Sequence, residues 1–314
     1  MRKTLSLSLA LIFISAFLLS AQAASFPRKV TDDLGAVLTI QKKPQRIISL
    51  TLPTDEILLS LVPKSSILGV TTFSGDASVS NVVSQVSDIP HALTLNVETI
   101  VSLQPDLVFV ADWSKAESVQ QLRDAGLSVY LCKSPSTVKE IERGITRIGQ
   151  VVGEEYKAKA LVDWMEARLA GVASKVSSIP ADKRLTVMDY NTYGTSMGAG
   201  SSWEEIVRLS GLKSAVAGMA PDQWGQVPIS REKLLQIDPD ILILPGWVYG
   251  EPDGADAFFK SITQDPALKT LKAVWEGKVF RLPESTKTST DQNIVLAVEE
   301  LARLAYPALF TQGR

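Results

Sequence analysis

Residues 96–110 read NVETIVSLQPDLVFV, and residues 230–244 read SREKLLQIDPDILIL. The two segments align without gaps, 134 residues apart, with Glu, Pro and Asp identical at three of fifteen positions and seven further pairs both apolar. Each predicts a short helix, a Pro-Asp turn and a buried strand. This arrangement is also a common local solution, so the repeat alone does not decide between duplication and coincidence.

The order of the surrounding elements favours duplication. Short apolar runs that predict strands alternate with segments of helical periodicity in both halves of the chain. The predicted strands are 46–50, 67–70, 107–110 and 128–132, then 185–190, 241–244 and 279–282; the predicted helices include 53–61, 116–125 and 203–210. This alternation predicts an α/β fold of two similar lobes, each with a mainly parallel central sheet flanked by helices.

A long helical pattern separates the two halves, over residues 153–179. Its apolar residues recur at three- and four-residue steps, and no proline interrupts it before Pro180. About 25 helical residues span roughly 35–40 Å. We therefore expect one long α-helix to join an N-terminal lobe, residues 24–152, to a C-terminal lobe, residues 180–314. The alternative is an ordinary crossover helix within one larger domain.

The first 23 residues have the pattern of a secretory signal peptide. Arg2 and Lys3 precede an apolar stretch over 5–19, and the small residues of Ser20-Ala21-Gln22-Ala23 form an A-x-A cleavage site. We expect cleavage after Ala23 and a periplasmic location; an uncleaved anchor is the alternative. No cysteine lies near this site, so a lipid anchor there is not expected.

Composition excludes several classes of protein. The 314 residues are 45% hydrophobic and 21% charged, with a formal net charge of −2, and no long run of like charges indicates nucleic-acid binding. One cysteine and one histidine cannot supply a Cys/His zinc site or a dithiol. We expect no intrinsic metal site and no cofactor.

The segment Gly194-Thr195-Ser196-Met197-Gly198 fits the G-x-S-x-G pattern of serine hydrolases and follows a predicted strand. In that class a histidine base follows the serine in the chain. Here the only histidine, His91, precedes Ser196 by about a hundred residues. The segment is therefore interpreted as a glycine-rich loop, and an exported hydrolase using Ser196 is kept only as an unfavoured alternative.

Aromatic residues follow the predicted strands, where ligands of open α/β sheets bind. A flat, rigid ring also provides contact area at low entropic cost. We expect about half of six candidates to line a ligand cleft and the rest to pack loops onto the core: Trp113, Tyr190, Tyr193, Trp203, Trp224 and Trp247. Trp164 and Trp275 lie on helical patterns and are expected in the core.

Four segments carry a resemblance to a known family, over essentially the whole mature chain. They are TLPTDEILLSL (51–61), NVETIVSLQPDLVFV, SSWEEIVRLSGL (201–212) and WGQVPISREKLLQIDPDILIL (224–244). Together they resemble the periplasmic binding proteins for vitamin B12 and ferric siderophores, the helical-backbone class of ABC-importer receptors. The resemblance implies a monomeric, non-enzymatic receptor that carries a metal chelate between its lobes to an inner-membrane permease with its ATPase.

The same resemblance implies docking through one exposed acidic residue on each lobe. Glu56 fits this role in the first lobe. In the second lobe Glu204 or Glu205 is the candidate, although Arg208 stands where some relatives carry an acid. Since Ser202 and Glu205 fit a capping box, we expect Glu204 to dock.

The ligand is less well defined by the sequence. A ferric siderophore is often anionic, yet Arg231 and Arg281 are the only suggested basic contributors and no convergent trio is visible. An aromatic-lined cleft favours a corrinoid by a small margin. Haem stays open as an alternative, with Tyr190, Tyr193 or Tyr249 as candidate axial ligands.

Overall fold

The computed structural model describes residues 25–311, so the segment expected to be a signal peptide lies outside the described residues. Within them the strands are β1 Arg28–Thr31, β2 Val37–Ile40, β3 Ile47–Ser49, β4 Ile67–Thr71, β5 His91–Leu93, β6 Leu107–Ala111, β7 Val129–Cys132, β8 Thr186–Asp189, β9 Thr195–Met197, β10 Lys213–Ser214, β11 Gln226–Pro228, β12 Ile241–Leu244 and β13 Val279–Arg281.

The helices, in chain order, are α1 Leu52–Leu61, α2 Val83–Val86, α3 Val97–Ser102, α4 Ala116–Asp124, α5 Val138–Val152, α6 Glu155–Val176, α7 Ser202–Leu209, α8 Arg231–Ile237, α9 Gly254–Thr263, α10 Lys272–Trp275, α11 Glu284–Lys287, α12 Ile294–Ala305 and α13 Pro307–Phe310. Short 3₁₀ turns occupy Lys64–Ser66, Thr72–Gly75, Ala181–Lys183 and Pro266–Leu268.

Two parallel sheets form the centres of the two lobes. The N-terminal sheet has the strand order β5-β4-β3-β6-β7, and the C-terminal sheet has the order β10-β8-β12-β13; every neighbouring pair in both is parallel. Two further sheets have two antiparallel strands each: the hairpin β1–β2, and the pair β9 and β11, which α7 and β10 separate in the chain. The predicted α/β class with mainly parallel sheets is confirmed.

The two segments of the sequence repeat have the same local structure. Asn96 and Ser230 occupy matched positions, and each caps its helix by accepting a hydrogen bond from the backbone N–H three residues later, at 2.9 and 3.1 Å. Gln104 and Asp238 are also matched, with φ of 48° and 44°, and among the described residues they are the only non-glycine residues with positive φ. The helix therefore ends in the same strained way in both lobes.

The aspartate of each Pro-Asp turn anchors the neighbouring strand. Asp106 accepts a hydrogen bond of 3.0 Å from the backbone N–H of Arg46, next to β3. Asp240 accepts one of 2.7 Å from the backbone N–H of Thr186, at the start of β8. Because the cap, the turn and this contact all recur, the repeat is structural as well as sequential.

The long helix of the prediction is α6, which has 22 residues and is a few residues shorter at each end than expected. Gly153, with φ of 71°, ends α5 just before it. The buried residues of α6 form one stripe, and one continuous apolar core includes this stripe together with residues of both lobes. Of the described helices, α6 included, none is long and apolar enough to cross a membrane.

Candidate functional site

A cavity of about 1130 Å³ lies at the carboxyl edge of the N-terminal sheet. The segments that follow β3, β4, β5, β6 and β7 all contribute to its wall, together with one face of α5. All but three of its lining residues belong to the N-terminal lobe; the C-terminal lobe supplies Trp247, Thr288 and Thr290. The carboxyl edge is where open α/β sheets bind ligands, and the volume suits a large organic ligand.

Trp113 enters the cavity from the loop after β6. The preceding residue, Asp112, accepts hydrogen bonds from the Ser134 backbone N–H at 3.2 Å and from its hydroxyl at 3.0 Å, which ties the loops after β6 and β7 together. The Trp113 ring is 76% exposed in the unliganded protein. A large exposed ring on a braced loop is suited to stacking on a ligand.

Trp247 reaches the cavity from the opposite lobe. It follows Gly246, at which a Cβ atom would lie 2.8 Å from the carbonyl oxygen of Leu282. The Gly246 backbone N–H also donates to Glu284 at 3.1 Å. The absence of a side chain at Gly246 therefore allows the loop to lie against the segment after β13, and this places Trp247 at the junction of the lobes.

The other four aromatic candidates do not line the cavity. Tyr190 and Trp203 are buried in the apolar core, Tyr190 with its ring 5.9 Å from that of Phe258, so their assignment to the ligand cleft is wrong. Tyr193 and Trp224 are 84% and 74% exposed but lie outside this cavity. The sequence identified the loops, but it did not show which way each ring points.

The expectation for two helical tryptophans also needs correction. Trp275 is 71% exposed, and Trp164 is partly exposed beneath the Arg168 guanidinium, whose Cζ lies 5.1 Å from the ring centroid. Neither belongs to the core.

Four cationic side chains line one wall of the cavity. Lys115 and Lys133 follow β6 and β7, while Arg143 and Arg147 lie four residues apart on α5 and so share one face of that helix. All four are exposed. Among residues 25–311, the carboxylates that line the same cavity are Asp33 and Glu140.

Both of these carboxylates are engaged by the protein itself. Asp33 accepts hydrogen bonds from Arg147 at 2.5 Å and from the Tyr130 hydroxyl at 3.2 Å, and this ion pair raises the pKa of Arg147. Glu140 closes the capping box of α5 with Thr137, and its hydrogen bonds hold its pKa below the usual value. The charges of Lys115, Lys133 and Arg143 are therefore left for a ligand.

This basic trio was missed by the sequence analysis. The two arginines suggested instead pair with carboxylates of the C-terminal lobe, Arg231 with Asp265 and Arg281 with Asp256, and neither lines the cavity. The sequence did contain one signal for this trio, because a lysine follows closely after each of the adjacent strands β6 and β7.

The lone cysteine, Cys132, is a free thiol that lines the cavity. The Thr54 hydroxyl lies 3.8 Å from Cys132 Sγ as a hydrogen-bond donor, and burial raises the pKa of Cys132 to about 12. Of the described residues that line the cavity, none is histidine or tyrosine, so the haem alternative has no candidate axial ligand there. Residues 25–311 also contain no group of three or more His, Cys, Asp or Glu side chains placed to hold a metal ion.

Ser196 is not accessible to a substrate. It is fully buried, and its hydroxyl donates a hydrogen bond of 2.9 Å to Asp189, which also accepts from the backbone N–H of Met197. Burial raises the pKa of Asp189. Residues Thr195–Met197 of the G-x-S-x-G segment form strand β9, so its interpretation as a glycine-rich loop is wrong, and the hydrolase alternative is not supported.

Of the two acidic residues expected to dock, Glu56 is buried and Glu204 is only partly exposed. Glu56 is only 1% exposed, and its carboxylate accepts hydrogen bonds from Asn81 and Asn293, so an exposed role for it is wrong. Glu204 is half-buried, burial raises its pKa, and its Oε1 has no hydrogen-bond partner. Ser201, rather than Ser202, caps α7, so the expected capping box is absent.

Two parallel-sheet lobes, a helix between them and a large cavity to which both lobes contribute define a two-lobed binding protein. The protein family described as periplasmic binding protein matches residues 47–286. An uncharacterised ABC transporter substrate-binding lipoprotein of Bacillus subtilis, YvrC, is 28% identical, over 91% of this chain and 88% of that protein. A cobalamin-binding protein of Halobacterium salinarum is 24% identical, over 71% of this chain and 59% of its own length.

Among solved structures, the molybdate-binding protein MolA of Haemophilus influenzae, bound to molybdate, superposes with a TM-score of 0.75 at 22% identity, over 90% of this chain and 92% of its own. The chain therefore belongs to the periplasmic binding protein family. It is the substrate-binding component of an ABC transporter and not an enzyme.

Proposed function

We propose that this protein captures a bulky, negatively charged metal chelate of the ferric-siderophore class and delivers it to an inner-membrane permease with its ATPase. The observation that carries the proposal is the composition of the cavity wall. Lys115, Lys133 and Arg143 supply charge on one side, while Trp113 and Trp247 supply apolar area. Such a site binds a ligand that is both anionic and amphipathic.

The size of the cavity separates this ligand class from simple oxyanions. A tetrahedral oxyanion would occupy a small part of about 1130 Å³ and would leave both tryptophans without a partner. The sequence favoured a corrinoid over a siderophore because it predicted an aromatic-lined cleft and no basic trio, and the three cations that line the cavity remove the second of these reasons.

A corrinoid is the second candidate. The pair Trp113 and Trp247, at opposite sides of the cavity, suits a large and nearly neutral ring system. The Halobacterium relative named for cobalamin binding agrees with this choice. Salt distinguishes the two: affinity for an anionic chelate falls as ionic strength rises, whereas affinity for a neutral corrinoid does not.

The test is a thermal-shift panel of anionic ferric siderophores, cobalamin, cobinamide, haem and molybdate. A ligand at a hundred times its Kd stabilises the folded state by about 2.7 kcal/mol, which a melting curve detects. We expect a shift with at least one ferric chelate, reduced in Lys133→Gln/Arg143→Gln. A shift with cobalamin or molybdate only, or none in the whole panel, would contradict the proposal.

Docking on the permease is proposed to use Glu98 and Glu232. They are the identical glutamates of the sequence repeat, each in the first turn of its helix, α3 and α8, and both are exposed. A permease made of two similar halves would meet the two lobes at matched positions. The signal for these residues was present in the sequence, in the repeat itself.

The docking proposal predicts that Glu98→Arg/Glu232→Arg abolishes uptake in cells while ligand affinity is unchanged. Glu117→Arg, an exposed substitution elsewhere on the N-terminal lobe, is the control and keeps uptake. Normal uptake by the double variant would refute the assignment.

Export is the last part of the proposal. Cleavage after Ala23 would release the mature receptor into the periplasm. Mass spectrometry of the protein recovered from cells should give Ala24 as the first residue; a retained leader would contradict cleavage.

A further inference from the structure

The two lobes meet at a second place, next to the cavity, through polar side chains. Residues 288–293 of the C-terminal lobe lie against α1 of the N-terminal lobe. Asn293 Nδ2 donates to Glu56 Oε2 at 2.5 Å, and Gln292 Nε2 donates to the Glu56 carbonyl oxygen at 3.0 Å. From the other side, Asn81 Nδ2 donates to the carbonyl oxygen of Ser285 at 2.7 Å.

Two buried carboxyl groups lie at the centre of this junction. Glu56 is 1% exposed and Asp291 is 2% exposed. Glu56 Oε1 accepts from the Asn81 backbone N–H at 2.7 Å, and Asp291 Oδ1 accepts from the Ser289 hydroxyl at 2.7 Å. The same amide nitrogen, Asn293 Nδ2, also donates to Asp291 Oδ1 at 3.0 Å. One amide group therefore lies between an oxygen of each acid, and the two carboxyl groups are close neighbours in the junction.

No cation of the described chain forms an ion pair with either acid. Most charged and titratable groups on the elements packed against the two acids have partners of their own: Asp55 bonds to Thr71 and Ser74, Glu284 to Lys287, Glu299 to Arg168, Lys157 to Leu61 and Glu154, Lys139 to Glu142 and Glu166, Lys159 to Asp163, Arg147 to Asp33, Glu155 to Arg28, Glu205 to Arg208 and Glu140 to Thr137. The remaining groups lie further along α5, α7 and α12: Arg143, Glu204, Arg303 and Glu300.

We propose that Glu56 and Asp291 form a proton-dependent latch between the two lobes. With one of the two acids protonated, the pair carries a single charge, which the Asn293 amide stabilises, and residues 288–293 stay against α1. With both acids ionised, two like charges face each other in a site shielded from water, and their repulsion separates the segment from the helix.

The direction of the pH dependence follows from the burial. Desolvation, and then the charge of Glu56, raise the pKa of Asp291 well above its usual value. A raised carboxyl pKa stabilises the protonated junction, so the latch is closed at low pH. It opens as the pH rises through the raised pKa of Asp291.

The latch is connected to the ligand cavity. Thr288 and Thr290, which line the cavity, belong to the same segment as Asp291. When residues 288–293 leave α1, the C-terminal wall of the cavity leaves with them. The position of this wall therefore depends on the protonation of a pair that does not touch the ligand.

Hydrogen exchange tests the latch in the unliganded protein. Exchange of the amides of residues 286–293 is followed by mass spectrometry from about pH 5 to about pH 9 and corrected for intrinsic rates. In the wild type, protection should fall about tenfold for each unit by which the junction raises the pKa of Asp291. In Asp291→Asn the second charge is absent at every pH, while Asn293 still donates to Glu56, so protection should be independent of pH. A flat wild-type profile, or a sloped one in this variant, would overturn the proposal.

Two further variants keep the result interpretable. Glu56→Gln also removes the charge pair, and it should lose the pH dependence too; it replaces Asp291→Asn if that variant does not give a native circular dichroism spectrum. Asp55→Asn is the matched control, because Asp55 is a buried neighbour on α1 whose hydrogen bonds stay within the N-terminal lobe. In Asp55→Asn the amide protection of residues 286–293 should depend on pH as it does in the wild type. If that pH dependence is lost, Asp55 and not the Glu56–Asp291 pair is responsible for it.

Discussion

The two parallel sheets have matching strand orders apart from β5, an additional edge strand of the N-terminal sheet, but their carboxyl edges differ in what fills them. In the N-terminal lobe this edge is open and lined by free cations such as Lys133 and Arg143. In the C-terminal lobe the edge is filled by the protein's own side chains: Asp189 at the end of β8 is bonded to Ser196, and Glu284 is bonded to Lys287 at 2.9 Å.

A small antiparallel sheet accounts for much of this difference. In the C-terminal lobe β8 leads into β9, which pairs with β11 from later in the chain and lies at the end of β8, whereas in the N-terminal lobe β3 leads directly into α1. A repeated fold therefore does not imply a repeated site. One copy provides the ligand pocket, and the other provides a wall that carries Trp247.

The largest expected effect comes from reversing charge on the open edge. Lys133→Glu/Arg143→Glu removes two charge-assisted contacts of roughly 1.5–3 kcal/mol each. We expect the affinity for the anionic chelate to fall by a factor of about 10² to 10⁴, measured by isothermal titration.

The matched control for this pair is Arg231→Glu in the C-terminal lobe, where the arginine pairs with Asp265 outside the cavity. It should leave the affinity unchanged. An equal loss from both changes would mean that the protein's overall field, and not the open edge, attracts the ligand.

A substitution at Trp203 tests whether this side chain belongs to the core or to the ligand cleft. Because its ring is buried in the shared core, Trp203→Ala should lower the free energy of unfolding by about 3–5 kcal/mol in urea denaturation. The folded variant should bind ligand normally below its transition. A weakened ligand affinity with an unchanged free energy of unfolding would show that Trp203 belongs to the binding site and not to the core.

Asp55 makes the N-terminal lobe sensitive to pH. Burial raises its pKa to about 7, against hydrogen bonds from Thr71 and Ser74 that lower it. The protonated form is favoured in the fold, so this stabilisation is complete below about pH 4 and is lost as the pH rises through about 7, by up to about 4 kcal/mol.

Unfolding of Asp55→Asn at a series of pH values checks this sign. The variant should lose less stability than the wild type between pH 4 and pH 8, because Asn does not ionise. Parallel curves for the two proteins would show that Asp55 does not titrate in this range.

The smallest effects are expected from the two cleft tryptophans. Trp113→Ala and Trp247→Ala should each weaken binding by about 1–3 kcal/mol, since each loses much of an aromatic contact. Trp224→Ala, an exposed ring outside the cavity, should have no effect. Unchanged ligand affinity in both cleft variants would show that these two aromatic rings do not contribute to binding.

The fold could be predicted because its signals are local. The repeat at 96–110 and 230–244, the apolar stripe of α6 and the strand 241–244 all appear in the structure close to their predicted bounds. Each depends on periodicity, caps and turn residues, which neighbouring positions in the chain determine.

The site could be predicted only in part, because side-chain direction depends on distant residues. Trp113 lines the cavity because the loops after β6 and β7 are tied together, while Trp203 is buried by packing between lobes. Glu56 is buried because Asn81 and Asn293 enclose it, and Asn293 lies more than two hundred residues away. No local pattern contains that contact.

The most direct test of the unequal lobes is a crystal structure of the receptor with the chelate that it binds most tightly. The structure described here predicts that anionic groups of the ligand contact Lys115, Lys133 or Arg143, with Trp113 and Trp247 against its apolar faces. A ligand held instead by Tyr193 and Trp224, with the carboxyl edge of the N-terminal sheet left vacant, would contradict it.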